Sequence, residues 1–591
     1  MLKDCLQTFE SLYKKNGEDD FLLDSYILAE GTYILVDDKY KVDKVLEVNK
    51  SKDKIDTTDK EYRLFCEMDY YSKLIDTNKA IDTKKIILSN NLYSFWIKKE
   101  NLSNGKLTSQ HISNYYEVLA NPEKKYNKNK KSKELYEETK LVCGEVDKDK
   151  LEANQKWIQD NIFNILQELN IKGDKGYLKI FFEASRDSYK NECSRYLIPN
   201  IYNTTEYNIK ADNKVMGLPN NNLGMNSKKP YLKHKTRQGE IPYLINSNEA
   251  MLQYKFFEYL MNLASQGKNN VYIDELLIKG IKNDEFLKYE EREKDRFSGV
   301  YLRIQKGKEV EIIDYSTVID YQMKLEGIEI RDSFDMDYGK YEPFIEFREV
   351  SGYEELARII DKCFFGNILR YNYFGDLQKT VKEEYLKVSI LESREAFFNW
   401  FYKGEKQAIR ALFSKVTLRI IYQTIIQNRN LRAREQWVLR DAINCYLKDG
   451  GESMADIMKP VLETLEKKTL NKQEGEITII ESDEEYYCAV GQLSNYLLSL
   501  SKASEKKHSD VNPILECANE NKLMNVIKGL FIKYNYQIKP NSRFNKLYAM
   551  VIGYVPTNKV NHEALLYGYL QGNLIYKKVE KDDENKDSVD K

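Results

Sequence analysis

Residues 151–185 contain LEANQKWIQDNIFNILQELN (151–170) and then GYLKIFFEAS (176–185). In the first segment Leu151, Trp157, Ile158, Ile162, Ile165, Leu166 and Leu169 recur at helical spacing and predict one buried helix face. The second is short, aromatic and β-branched, bounded by Gly176 and Ser185, and reads as a strand. A helix running directly into a core strand predicts a mixed fold, and the segments on either side extend it. SYILAEGTYILVD (25–37), breaking at Gly31, and KKIILSNNLYSFWIKK (84–99), with two apolar runs around Ser89-Asn90-Asn91, are expected hairpins. YNIKADNKVMGLP (207–219) should turn at Asp212-Asn213. NEAMLQYKFFEYLMNLASQG (248–267) predicts a helix stopping at Gly267. VYLRIQKGKEVEIIDY (300–315) predicts a hairpin turning at Lys306-Gly307.

From about residue 352 glycine thins out. Long amphipathic stretches, EELARIIDKCFFGNILRYNYF (354–374) and REAFFNWFYKGEKQAIRALFSKVTLRIIYQTIIQNR (394–429), predict packed helices. LKDGGES (447–453) interrupts them, and helical patterning resumes to residue 575. The expected class is multidomain α+β. A mixed α/β region with hairpins spans 1–350, a helical middle 351–453, a C-terminal helical bundle 454–575, and a disordered charged tail 576–591. At 591 residues more than one core is expected.

Composition narrows the function classes. Mean hydropathy is −0.64, and no apolar run reaches the length of a membrane span, so no membrane association is expected. MLKDCLQTFESLYKKNGEDD at the start lacks an apolar signal core and reads as part of the fold. The eight cysteines are scattered without a C-x-x-C pair, which excludes a zinc ribbon or disulfide framework and places the chain in a reducing cytoplasm. Net charge is −1 and carries no information about partners. No phosphate-cradling glycine loop, dinucleotide fingerprint, zinc-protease helix or nucleophile elbow occurs. Glu123-Lys124-Lys125 matches the carboxylate-x-lysine pattern of metal-dependent nucleases but lies in a polar loop after Pro122. His111 and His234 have no second ligand nearby, and His508 with Cys517 does not make a metal site.

Three basic stretches remain. The first lies in GLPNNNLGMNSKKPYLKHKTR (217–237), inside a window from Asn213 to Gly239 without Asp or Glu, in a chain with 93 acidic residues among 591. Asparagine amides both donate and accept, so Asn220, Asn221, Asn222 and Asn226, with Ser227 and the close approach allowed by Gly217 and Gly224, suit reading of base edges. Lys228, Lys229, Lys233, Lys235 and Arg237 suit phosphates. The competing reading is a solvated loop with asparagine turns in an AT-rich gene. The second stretch, from Lys406 to Arg440, crowds Arg429, Arg432 and Arg434 into NRNLRAR, suited to phosphate or to an acidic protein patch. The third, from Asn521 to His562, holds seven Lys or Arg and no acid. Its Lys522, Lys528, Lys533, Arg543 and Lys546 suit a nucleic-acid strand laid on a helical bundle, with a solvated face as the competitor.

CSRYLIPNIYN (193–203), GLPNNNLGMNSKKPYLKHKTR and IPYLINSNEAMLQYKFFEYLMNLASQGK (241–268) together resemble the large subunit of type I-B CRISPR effector (Cascade) complexes. LLDSYILAEGTYILVD (22–37), NNLYSFWIKKENLSNGKLT (90–108) and VYLRIQKGKEVEIIDY continue the resemblance. YYCAVGQLSNYLLSLSKASEKKHS (486–509) and LYAMVIGYVPTNKVNHEALLYGYLQGNLIYKK (547–578) carry it almost to the end, in order. The resemblance implies a non-catalytic subunit without cofactor or metal, partnered by double-stranded target DNA, guide RNA, backbone and other subunits, and a recruited helicase–nuclease. It implies recognition of the protospacer-adjacent motif and support of the opened duplex. The Asn-rich loop as motif reader is an inference from loop chemistry. The alternatives are a metal-dependent nuclease with dispersed carboxylates and a purely structural scaffold. Asp449-Gly450-Gly451-Glu452, encoded in AT-rich fashion, would also place a GGAGG ribosome-binding sequence before Met454. That predicts a separate small subunit, Met454–Lys591, of 138 residues.

Overall fold

The computed structural model describes residues 1–49, 56, 58–127, 130–171, 176–211, 214–220, 236, 243–288, 296–377, 381–448, 450–470, 478–501, 511–538 and 542–577. About 53% of the chain is helix and 14% strand, in several small sheets and many helices, a multidomain α+β fold. It separates into two compact units, one of residues 1–282 and 299–317, the other of 283–298 and 318–591.

The first unit is built around the strand expected at 177. Strands β1 (Gly31–Val36), β2 (Val42–Val48), β3 (Ser94–Lys98) and β4 (Tyr177–Phe182) form a sheet in the order β2-β1-β4-β3. β1 and β4 are its central, parallel pair. Both are buried along almost their whole length, so they read as continuous apolar runs rather than alternating ones. Gly31 therefore starts a strand instead of turning a hairpin, and the hairpin is made by β1 with β2. In 84–99 only the second apolar run becomes a strand, joined to the first by an isolated bridge from Ile87 to Ile97. Tyr33, Phe65, Trp96 and Phe181 pack together on this sheet. In their midst Lys179 donates to Asp69 at 2.5 Å, its ammonium 3.8 Å from the Trp96 ring centre.

Helices α1 (Leu2–Lys15), α2 (Asp19–Leu23), α3 (Lys60–Tyr70), α4 (Lys148–Asn161) and α5 (Arg186–Leu197) contribute to one apolar core with the sheet. α4 begins three residues before the expected start and ends at Asn161, with Ile165–Glu168 forming a separate short turn. A second sheet, β5 (Ile209–Ala211), β6 (Lys214–Gly217) and β7 (Ile245–Asn246), leads into helix α6 (Ser247–Ser265). A third, in the order β11-β10-β8-β9, contains β8 (Asn270–Ile273), β9 (Ile278–Ile281) and the expected hairpin β10 (Arg296–Lys306) with β11 (Val310–Gln322).

The second unit is helical apart from part of that hairpin and the short pair β12 (Ile328–Glu329) and β13 (Glu349–Val350). Helices α7 (Glu384–Lys403), α8 (Gln407–Ile426) and α9 (Asn430–Leu447) pack in sequence around Phe397, Trp400, Phe413 and Trp437. They are followed by α10 (Met454–Leu470), α11 (Asp483–Ser499), α12 (Glu520–Tyr534), α13 (Ser542–Ile552) and α14 (His562–Leu570). The division falls at 283–318, not at the expected 350. Residues 318–350 pack with the helices because Phe334 lies against Trp437 and Tyr567, and Glu435 accepts from the Tyr341 hydroxyl and the backbone N–H groups of Phe344 and Ile345. Nor does 454–575 form a compact unit of its own. Trp437 of α9 packs on Tyr567 of α14, Arg440 pairs with Glu563, and Asp441 accepts from the first backbone N–H groups of α10. Of the tail beyond residue 575, only Tyr576 and Lys577 lie among the described residues.

Candidate nucleic-acid interface

The acid-free loop is rooted in the sheet of β5, β6 and β7. β5 and β6 form the hairpin expected at 207–219, with its turn at 212–213 outside the described residues. β6 also pairs with β7, Gly217 opposite Ile245 and Met216 opposite Asn246. The strands that flank residues 218–244 in the sequence are thus hydrogen-bonded side by side.

Tyr202 fixes this root. Its hydroxyl donates to the Val215 carbonyl at 2.8 Å and the Ile245 carbonyl at 3.1 Å, tying the outgoing and returning strands to one ring. Burial raises its pKa, keeping the phenol protonated and able to donate. Tyr202 bridges Pro219, the Asn203 N–H donates to Leu218, and the Asn220 N–H donates to Ile201. Gly217 lies so close to Tyr202 and Asn208 that a Cβ there would come within 2.5 Å of both. The Asn208 side chain is buried, and among the described residues its amide has no hydrogen-bond partner. Lys79 donates to the carbonyls of Asn200 and Tyr202, and burial lowers its pKa to about 8. On the returning side Asn246 caps α6 by accepting from the Glu249 N–H at 2.9 Å.

Of the proposed motif readers, Asn220 is described, half-buried at the exit of the root. Asn221, Asn222, Gly224, Asn226, Ser227, Lys228, Lys229, Lys233, Lys235 and Arg237 lie outside the described residues. Tyr202 and Lys79 act on backbone distant along the chain and Asn208 meets Gly217 only in the folded hairpin, so none of the three carries a local sequence signal. The local signal was Gly217, whose close approach requires something large and fixed opposite it.

The arginines of NRNLRAR do not share one open track. Arg429 is exposed before the start of α9. Arg432 donates to the Cys363 carbonyl and lies 4.6 Å from the Phe344 ring centre. Arg434 donates to the Leu570 carbonyl at 2.7 Å, and burial lowers its pKa. The cause is the packing of α9, whose following residues, 435–440, are all buried. These two guanidiniums tie elements of the fold together.

In the C-terminal stretch, Lys522, Lys528 and Lys533 on α12 are exposed, and Arg543 and Lys546 on α13 are half-buried. The Arg543 guanidinium donates to the Lys577 carbonyl. Glu123 pairs with Lys140 at 3.1 Å, Lys124 with Glu117 at 2.8 Å, and Lys125 donates to the carbonyls of Lys79 and Ala80. The nuclease-like triplet is therefore divided among three separate sets of partners. His111 meets the Thr108 hydroxyl and His562 the Tyr422 hydroxyl. Among the described residues no group of three His, Cys, Asp or Glu side chains is placed to hold a metal ion, and no helix is long and apolar enough to cross a membrane.

No protein-family model, curated protein or solved structure matches the chain.

Proposed function

We propose that this chain is the non-catalytic large subunit of an RNA-guided DNA surveillance complex of the type I-B CRISPR kind. In this reading it recognises the protospacer-adjacent motif in duplex DNA, supports the opened strands, and helps recruit a helicase–nuclease. Support comes from the ordered resemblance along the sequence and, in the fold, from one observation: the pairing of β6 with β7 anchors both ends of the basic excursion 218–244. That excursion carries five Lys or Arg residues against Glu240. An anchored loop reaches a groove at smaller entropic cost than a free tail. Its asparagines then meet base edges, while its lysines neutralise phosphates. We further propose that Met454 starts a second product, a small subunit made from the same gene.

The test is a complex reconstituted with guide RNA and partner subunits, presented with targets randomised at the adjacent bases. Asn222→Ala or Asn226→Ala is expected to blunt discrimination among motifs. Lys228→Ala with Lys229→Ala should weaken binding to every target and reduce the slope of log affinity against log salt by roughly 2. Unchanged motif preference in each Asn variant would place the reader elsewhere. Metal-dependent cleavage of duplex DNA by the isolated chain would favour the nuclease alternative.

A further inference from the structure

In the second unit, α12 and α13 bring three aromatic rings into nearly one orientation. Phe531 lies 4.7 Å from Tyr548 and 6.0 Å from Phe544 between ring centres, and Phe544 lies 5.6 Å from Tyr548. The interplanar angles are 24°, 12° and 17°. Phe544 is 2% exposed and is backed by Tyr496 of α11 at 5.3 Å. Phe531 and Tyr548 are only half-buried. The rings thus form a shelf with a fixed back and a partly open front. Lys528, one turn before Phe531, is exposed, and Tyr536, just past the end of α12, is 75% exposed.

We infer that Phe531, Tyr548 and the supporting Phe544 form a stacking platform for the bases of a single-stranded nucleic acid. The inference rests on the reading of this chain as a holder of opened strands, and it identifies what the C-terminal module grips. Near-parallel rings that are only partly covered can take one more flat ring onto an exposed face, and every nucleobase offers one irrespective of sequence. The surrounding charge selects the same partner. Residues 521–562 include seven Lys or Arg and no carboxylate, so a phosphate backbone is attracted where the bases are received. An acidic peptide would satisfy the lysines but would not use the shared ring plane.

The experiment measures binding of the full-length chain to a labelled single-stranded oligonucleotide and to the same oligonucleotide with its bases removed. The wild-type chain should bind the abasic strand roughly tenfold or more weakly. Phe531→Leu with Tyr548→Leu should lower affinity for the intact strand by a similar factor and leave the abasic strand and the salt slope unchanged. Phe531→Trp should restore stacking. Lys522→Ala with Lys528→Ala should instead reduce the salt slope for both strands. Circular dichroism and thermal melting check that each variant folds, and the abasic comparison needs no variant. Equal wild-type affinity for intact and abasic strands would overturn the platform while leaving strand-holding in place, as would wild-type affinity in the folded Leu variant. Absence of any single-strand binding would overturn both. If the Leu variant bound strands normally but failed to assemble with partner subunits, the shelf would be a protein contact and the inference would fall.

Discussion

Asp19 shows how much a single side chain can organise. It accepts from the Tyr13 hydroxyl at 2.5 Å, the Tyr71 hydroxyl at 2.8 Å and the Lys255 ammonium at 2.8 Å, joining the start of α2 to α1, to the end of α3 and to α6. Burial opposes its charge, but Lys255 and the hydrogen bonds from Lys255, Tyr13 and Tyr71 outweigh that effect and hold its pKa below the ordinary 3.8. Its stabilisation is therefore complete above about pH 4 and drains away as pH falls through the depressed value. Asp19→Asn should cost about 3 kcal/mol at neutral pH, since it leaves the lysine without its buried partner. Urea midpoints taken between pH 6 and pH 3 should fall less steeply in the variant than in the wild type. At Gly217 the prediction is steric. Gly217→Ala must displace Tyr202, whose hydroxyl is already committed to two strands. A loss of roughly 1–3 kcal/mol in denaturant melts is expected, together with poorer motif discrimination because the loop root shifts. The close approach at Gly217 was legible in the sequence, but the role of Asp19 was not, because it stands in an ordinary acidic run, NGEDD, and its partners are scattered from residue 13 to 255.

Elements were easier to read than residues, and the errors have identifiable causes. β4 and the β10–β11 hairpin follow their sequence patterns, and so do α6 and the break at 447–453. β1 was misjudged because a strand buried on both faces loses the alternation that separates a turn from a strand start, so Gly31 looked like punctuation. On α9 a helix with buried residues on most of its circumference turns Arg432 and Arg434 toward carbonyls, which their spacing in the sequence does not reveal. The pairing of α11 with α14 left a clearer trace in small residues. A Cβ on Gly491 would come within 2.2 Å of the Leu565 carbonyl oxygen, and one on Gly568 within 2.1 Å of the Cys488 carbonyl oxygen. Neither oxygen belongs to a side chain that can rotate away, so the helices themselves would have to separate. Gly568→Ala is expected to destabilise the second unit by about 3 kcal/mol, read as a lower midpoint in chemical denaturation. A surface change such as Lys522→Ala should leave that midpoint within about 0.5 kcal/mol of wild type.

For the whole molecule, the fold class was legible and the partition was not, since the patterns of 318–350 are too short to show which core they join. The extent of that second core bears on the proposed internal start. In the full chain, residues from Met454 onward are packed against α9, where Arg440 meets Glu563 and Trp437 meets Tyr567. Synonymous recoding of the Gly450 and Gly451 codons should abolish a short product on a blot against the C-terminus while full-length levels hold, and an unaltered short band would refute the internal start. If made, the short product lacks α9, leaving Tyr567 and Glu563 without those partners. It should therefore melt at lower temperature alone than when bound to other subunits. A last consequence comes from the β10–β11 hairpin, whose strands are divided between the two units at 298/299 and 317/318. A nascent chain leaving the ribosome delivers residues 283–298 of the second unit before 299–317 of the first, so neither unit can be completed before the other has begun. The first unit is complete in the emerging polypeptide only once residue 317 has been made, with sixteen residues of the second already present, and no single nick in the backbone can release either unit intact.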